Sequence, residues 1–536
     1  MIAVWIGGGL AAFLLAATTP AATATAPPPP ASPSPLNALL ERHRHALGHL
    51  PGMSASWSGV IDQNGTDIPF SASSDNDGRS KTVYSMPFGQ RSEGNDDTTH
   101  WLQDVNGNVS LEPMDHRRPF LARLLGFNAT MLDENVTWAF DGPLTMDGRP
   151  VIRLHTKLAS FDVVVYVDAR TALIYGVEIG PRSIRYVDYG SFGGLTMPVK
   201  IVEQDEQTTL TTTISSVAFP RLAAADFAAP TPRKPEFPAG QSDVGLDFDS
   251  PHSLIVINVK VNGTLVKFLL DSGSSASLID IDEARLLKLP MAGDARVAGA
   301  TVMRGSPARA ESLELAGVKF APFIFEAVPL GLPASIRGFG IQGILGYDVL
   351  AQLVARIDYG RARMRLIAPS SFTYAGTGAV IALDASSRLP RVATTLGEKD
   401  PATFTVDTGS DSGLIVYQDF AQAHARDFMR PGDLASDATT TIDPHSLDRD
   451  PVDPSRYFSD LTQANGAGGS IHVKTAFVSR LNIGRFSVEK IFTEIVLQPT
   501  GAFTPSASDG LLGAGVLSKF GAVFLDYPGG RFILER

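Results

Sequence analysis

The sequence predicts a mainly-β chain: one leading helix, an antiparallel sheet domain, and then a β-rich module written twice. Three observations carry this. The chain has 536 residues, 44% hydrophobic and 19% charged, with 50 Gly and 37 Pro; this suits a folded, loop-rich, strand-heavy protein of roughly three or four domains. Runs of β-branched and aromatic residues are separated by turn pairs such as Asn64-Gly65, Asp77-Gly78, Asn106-Gly107, Asp147-Gly148 and Gly193-Gly194. Beyond residue 243, strings of residues recur in a fixed order.

Residues 2–17 form one apolar run, and Ala22-Thr23-Ala24 and Ala24-Thr25-Ala26 both fit a small-x-small cleavage site. Segment 1–26 is expected to be a secretory signal peptide, making the protein periplasmic or secreted, with no stable membrane span after cleavage. An uncleaved anchor is the alternative, since no Lys or Arg precedes the run, but the run is short for a span. Residues 27–35 read as a Pro-rich tether. Leu36, Leu40, Leu47 and Leu50 recur at roughly helical spacing and predict a helix over 36–50. It carries His43, His45 and His49. His45 and His49, four apart, are a possible metal pair, but no third ligand accompanies them and a solvated helix face is the simpler explanation.

From 54 to about 227 the sequence predicts short strands, among them 99–102, 151–155, 162–167, 174–179 and 208–217. Alternation at Val163, Val165 and Val167 gives the sheet one buried face. No His, Asp or Glu cluster here has catalytic spacing. The strings Tyr166-Val167-Asp168-Ala169-Arg170-Thr171-Ala172-Leu173-Ile174 and Tyr186-Val187-Asp188-Tyr189-Gly190, running on to Met197-Pro198, resemble the curved half-barrel of periplasmic lipoprotein carriers. That resemblance implies a cupped sheet able to hold an apolar ligand or a peptide; a structural module without a ligand is the alternative. Asn64-Gly65-Thr66 and Asn135-Val136-Thr137 are glycosylation triplets, relevant only in a host that glycosylates secreted proteins. Residues 229–243 contain four Pro and form a linker. The expected domains are therefore 36–228, then 244–372 and 373–536.

Net charge is −11 with no basic block, which argues against nucleic-acid binding. The absence of Cys rules out disulfides, a thiolate nucleophile and Cys-ligated zinc. No cofactor and no metal are implied.

After the linker, Phe268-Leu269-Leu270-Asp271-Ser272-Gly273-Ser274 aligns with Phe404-Thr405-Val406-Asp407-Thr408-Gly409-Ser410 at an offset of 407 − 271 = 136. Ile344-Leu345-Gly346 aligns with Leu511-Leu512-Gly513 at 511 − 344 = 167, and Ile357-Asp358-Tyr359 with Leu525-Asp526-Tyr527 at 525 − 357 = 168. The jump places an insertion of about 31 residues in the second copy, within 424–465. Each copy is expected to open with a hairpin, 253–262 with 264–271 and 392–396 with 403–407; Asn262-Gly263 is a type I′ turn signal. An Asp turn, a helix (282–289; 417–428), a Gly-bearing hairpin (295–314; 462–481), the apolar-apolar-Gly string, a short helix and one closing strand follow.

An Asp-Ser/Thr-Gly-Ser turn after an apolar strand, with a distant apolar pair and Gly, resembles the aspartic proteases. The modules are similar to retroviral-type (retropepsin-like) single lobes and their bacterial relatives. Two in one chain are similar to the bilobal pepsin plan, and the likeness covers 243–536. It implies two β-barrel lobes with one active site between them, and a polypeptide as substrate. Asp271 and Asp407 would share one proton and activate a water. Gly273 and Gly409 would let the turns tighten. Ser272 and Thr408 would bond across the lobes, and Ser274 and Ser410 would bond the outer carboxylate oxygens. Flaps are expected near Gly299 and at Gly466, Gly468 and Gly469. The dyad would lie within one chain, so a monomer is expected. A catalytically inactive protease fold that binds peptide or another ligand is the alternative. No Gly-x-Ser-x-Gly elbow stands between a strand and a helix.

Overall fold

The computed structural model describes residues 34–48, 54–63, 65–75, 77–96, 98–113, 132, 136–158, 161–180, 182–204, 209–429, 461–497 and 508–536. The expected signal peptide, His49 and the greater part of 424–465 lie outside them. The described residues form two compact units, one of 105–110 with 232–536 and the other of the remaining residues up to 231. The fold is mainly β, with a closed six-strand barrel and large curved antiparallel sheets, and one helix leads the chain.

In the front unit that helix is Pro35–Leu47. Ser34 caps it through Asn37 N–H at 3.2 Å, Pro35 occupies its first turn, and Gly48 ends it at φ 74°. It buries Leu39, His43 and Leu47. Of the helix histidines His43 and His45, His43 is the buried one. Its Nδ1 lies 2.6 Å from Ala172 O, and its Nε2 accepts from Leu132 N–H at 3.3 Å. One ring nitrogen donating and one accepting defines a neutral, satisfied core imidazole.

The sheet of this unit is two antiparallel meanders joined where Ser54–Gln63 pairs with Thr209–Ala218. Ile174–Ile179 is found at its expected limits; Phe161–Asp168 and Arg149–Leu158 extend beyond theirs. Val163, Val165 and Val167 are fully buried and pack with Leu39, Leu154 and Tyr186, so period-2 alternation points at the helix-covered core.

In the second unit the two copies follow one plan. Val256–Val261 and Thr264–Leu270 form the first hairpin, with Asn262 at φ 49° and Gly263 at φ 82°, both left-handed as a type I′ turn requires. Arg391–Leu396 and Asp400–Asp407 form the second. In each copy the strand carrying the apolar-apolar-Gly string threads between the strand entering the Asp turn and the strand leaving it. Ile341–Leu345 runs parallel to Thr264–Leu270 and antiparallel to Leu278–Asp280. Gly510–Gly513 runs parallel to Asp400–Asp407 and antiparallel to Leu414–Tyr417.

Each copy ends in two strands rather than one. Val354–Asp358 with Arg363–Ile367, and Ala522–Asp526 with Arg531–Glu535, are hairpins. Their first strands pair with each other, Val354 opposite Asp526 and Ile357 opposite Val523. Asp243–Asp247 and Ala379–Asp384 extend the two sides, giving a six-stranded antiparallel run built equally from both copies. One hydrophobic core runs through both copies, joining for example Phe268, Tyr347, Phe404 and Tyr527.

Candidate active site

The two Asp turns meet. Thr264–Leu270 and Asp400–Asp407 each carry an apolar run that forces the strand inward and delivers a carboxyl at its end. Ser272 N–H donates to Thr408 Oγ1 at 3.0 Å, and Ser272 Oγ donates to Val406 O at 2.6 Å. The reciprocal bonds are Thr408 N–H to Ser272 Oγ at 3.0 Å and Thr408 Oγ1 to Leu270 O at 2.9 Å. Ser272 and Thr408 are both fully buried. A hydroxyl in each turn is thus donor and acceptor at once, and deleting either strands a buried N–H of the other turn.

This lock seats each carboxyl on the opposite glycine. A Cβ at Gly273 would lie 2.6 Å from Asp407 Cγ, and one at Gly409 would lie 2.4 Å from Asp271 Cγ. No side chain fits at either position. Gly273 N–H donates to Asp271 Oδ1 at 2.8 Å, and Gly409 N–H to Asp407 Oδ1 at 2.9 Å. The backbone N–H groups of Ser274 and Ser410 face the same two carboxyls. The Ser274 hydroxyl instead donates to Ala276 O at 2.7 Å, which corrects the expectation that it bonds the carboxylate. The backbone prevails because a tight turn after the Asp already aims its N–H groups inward.

Burial, the charge of Asp407 and a hydrogen bond between the two side chains hold Asp271 well above the usual carboxylate range. Burial also raises Asp407, with the charge of Asp411 adding to it. A pair in this position retains one proton between its members.

Behind the turns the strings Ile344-Leu345-Gly346 and Leu511-Leu512-Gly513 come into close contact with them. Asp271 N–H donates to Leu345 O at 2.9 Å; Tyr347 N–H donates to Ser274 O at 2.9 Å, and Ala514 N–H to Ser410 O at 2.8 Å. A Cβ at Gly346 would lie 2.6 Å from Ser274 O, and one at Gly513 would lie 2.2 Å from Ser412 O. The glycine after each apolar pair is therefore a close-approach position. Tyr359 and Tyr527, equivalent in the repeat, are buried, and burial together with carboxylate charge keeps their hydroxyls protonated. Their place beside the pair was not recognised from sequence, although the repeated Asp-Tyr dipeptide marks both.

The glycine-bearing hairpins also meet. Ala295–Ala298 turns through Gly299 into Val302–Ala310, and Thr462–Gly466 turns through Ala467 and Gly468 into Gly469–Ile483. Ala300 N–H donates to Ala467 O at 2.8 Å, Thr301 Oγ1 to Gly468 O at 2.6 Å, and Gly468 N–H to Leu330 O at 2.9 Å.

Among the described residues, Asp400, His424 and Asp427 bring one possible metal-ligand atom each within 4.8 Å of one another. Burial and the charge of the neighbouring Asp400 raise Asp427.

Comparison with known proteins bears on both units. Residues 257–349 match the aspartyl protease family model. No curated protein matches the sequence. A retropepsin-like aspartic protease from Rickettsia conorii is 21% identical over 23% of this chain and 89% of its own, with a TM-score of 0.18. Basic 7S globulin from soybean is 10% identical over 55% of this chain and 94% of its own, with a TM-score of 0.31. A LolA superfamily protein from Nitrosomonas europaea is 10% identical over 36% of this chain and 96% of its own, with a TM-score of 0.28.

Proposed function

We propose that this protein is an exported aspartic endopeptidase that hydrolyses peptide bonds in polypeptides with the pair Asp271 and Asp407. The observation that carries the proposal is the mutual seating of the two carboxyls, each against the other turn's glycine and joined by a hydrogen bond. Such a pair shares one proton and so holds a base and an acid side by side. The ionised carboxyl takes a proton from a water, whose oxygen forms a bond to the amide carbon. The protonated carboxyl gives its proton to the carbonyl oxygen. The resulting diol then collapses as the C–N bond breaks and a proton passes to the leaving nitrogen, restoring the singly protonated pair. The meeting hairpins at Gly299 and at Gly466, Gly468 and Gly469 act as flaps that exclude water from bound substrate. Export rests on the apolar run at residues 2–17. No helix among the described residues is long and apolar enough to cross a membrane.

The test is incubation with an unfolded protein, with and without an inhibitor whose hydroxyl mimics the diol, from acidic to neutral pH. Inhibitor-sensitive cleavage is expected. Asp271→Asn and Asp407→Asn should each lower it on the order of 10³-fold or more, and the double variant should lose little further, because the two groups act as one unit. Absence of cleavage throughout the range favours the peptide-binding alternative. Full activity in either single variant breaks the pairing.

A further inference from the structure

The two copies differ behind their Asp turns, and the difference involves a residue far away in sequence. In the first copy Ser277 and Asp348 are buried together. Ser277 N–H donates to Asp348 Oδ2 at 3.0 Å, and Ser277 Oγ donates to Asp348 Oδ1. The same hydroxyl accepts from Gly346 N–H at 3.0 Å. In the second copy Gly413 stands at the place of Ser277 (413 − 277 = 136) and Gly515 at that of Asp348 (515 − 348 = 167). There backbone meets backbone: a Cβ at Gly515 would lie 2.9 Å from Gly413 N. The second turn is held by close glycine packing, the first by a buried carboxyl.

A buried carboxyl needs donors. A further one comes from Asn106, which precedes the linker in sequence yet belongs to this unit. Asn106 is 2% exposed. Its Nδ2 donates to Asp348 Oδ2 at 3.0 Å and to Ile324 O at 2.9 Å, while its Oδ1 accepts from Ile324 N–H at 2.8 Å. The side-chain amide thus pairs with Ile324 as a neighbouring strand would, which fixes its orientation. Asn108 Nδ2 adds a bond to Asp348 O at 3.1 Å.

We propose that Asn106 is a positioning residue for the Asp271 turn, acting through Asp348 and Ser277. This rests on Asp271 being half of the reacting pair. Loss of the amide leaves Asp348 short of a donor, which frees Ser277 and the 345–348 backbone on which Asp271 N–H and Ser274 O are hung. Residues 105–110, which precede the linker in sequence, are then a working part of the same unit as Asp271.

Kinetics on the full chain tests this, with Asp271→Asn as control and thermal unfolding measured alongside. In Asn106→Ala, kcat should fall about tenfold or more, as expected for a small misplacement of a reacting group. KM should stay within about twofold, because substrate contacts are untouched. Asn106→Asp keeps the size and the oxygen facing Ile324 N–H but sets a second carboxyl against Asp348. Charged groups nearby are Arg233, whose side chain lies against Gly107 and whose Nη1 donates to Pro322 O at 2.9 Å, and Asp104, buried two residues before Asn106. The kcat of Asn106→Asp relative to the parent should rise as pH falls, since a protonated carboxyl regains the donor. A purely structural role predicts a lower melting temperature with unchanged kcat in the folded protein. Unchanged kcat in folded Asn106→Ala overturns the proposal, as does a pH-independent ratio for Asn106→Asp, which decides the matter if the alanine variant does not fold. Full activity in Asp271→Asn overturns the dyad itself, so the two failures are told apart.

Discussion

At the scale of the residue, a buried carboxyl pair makes stability and activity depend on pH together. Both members have folded-state pKa values raised above those of the unfolded chain, Asp271 the more so. The folded state therefore binds more protons than the unfolded one between the ordinary carboxylate pKa and the raised value. Stability from this source is fully present below the ordinary value and is lost as pH rises through the raised one. Activity should be lost at the upper end of that window, as pH rises through the raised value and the folded pair gives up its last shared proton. Asp271→Asn and Asp407→Asn remove the repulsion without removing the lock between Ser272 and Thr408. Melting temperatures measured from acid to neutral pH should show the parent losing ground to both variants as pH rises. A parent-to-variant difference that stays flat across that range would falsify the shared proton.

At the scale of the element, the two hairpins are the parts of the proposed site that must move, and their tips are joined by few bonds. Thr301 is exposed, and its hydroxyl holds Gly468 O at 2.6 Å. A bond of this kind contributes about 0.5–1.5 kcal/mol net, so Thr301→Val, similar in size, should shift opening by roughly two- to tenfold. Dissociation of a diol-mimicking inhibitor should quicken by that factor while the melting temperature barely changes, since the bond stands outside the core. An unchanged dissociation rate would show that the hairpins are not the gate. The strands on which the site is built are fixed in a different way. Gly346 and Gly513 approach carbonyls so closely that even one methyl group cannot be placed there.

At the scale of the whole molecule, the six-stranded run joins the two copies by main-chain bonds along Val354–Asp358 and Ala522–Asp526. An isolated copy would expose one of these strands as an unpaired, largely buried-type edge, the arrangement that promotes association. The full chain supplies the partner strand itself, at an effective concentration of roughly millimolar for a short tether. Activity per molecule should therefore stay constant on dilution, and light scattering should find a monomer. Residues 373–536 expressed alone should self-associate and be inactive at low concentration. Activity of the full chain that falls with the square of concentration would instead place the pair between two chains.

Much of this was legible in the sequence because duplication writes the same constraint twice. The offsets of 136 and 167 marked both Asp turns and both apolar-apolar-Gly strings, and local rules gave the Asn262-Gly263 turn and the alternation of Val163, Val165 and Val167. Those features depend on neighbours in the chain or on an internal copy, so pattern alone reveals them. The sequence by itself thus determined which residues could form a carboxyl pair and which glycines its turns require. Only the tertiary structure decided what lies against them. Strands Asp243–Asp247 and Ala379–Asp384 were missed because each is fixed by the strand it pairs with, Arg363–Ile367 and Arg531–Glu535 respectively, and not by its own alternation. Ser274 pointed its hydroxyl at Ala276 rather than at the carboxylate because a turn's N–H groups reach the charge first. His43 became a core residue because Ala172 and Leu132 come to meet it. Asn106 looked like an ordinary Asn-Gly turn, and its bond to Asp348 spans 242 residues. No local pattern encodes such a contact, because its energy exists only once the chain has brought both ends together.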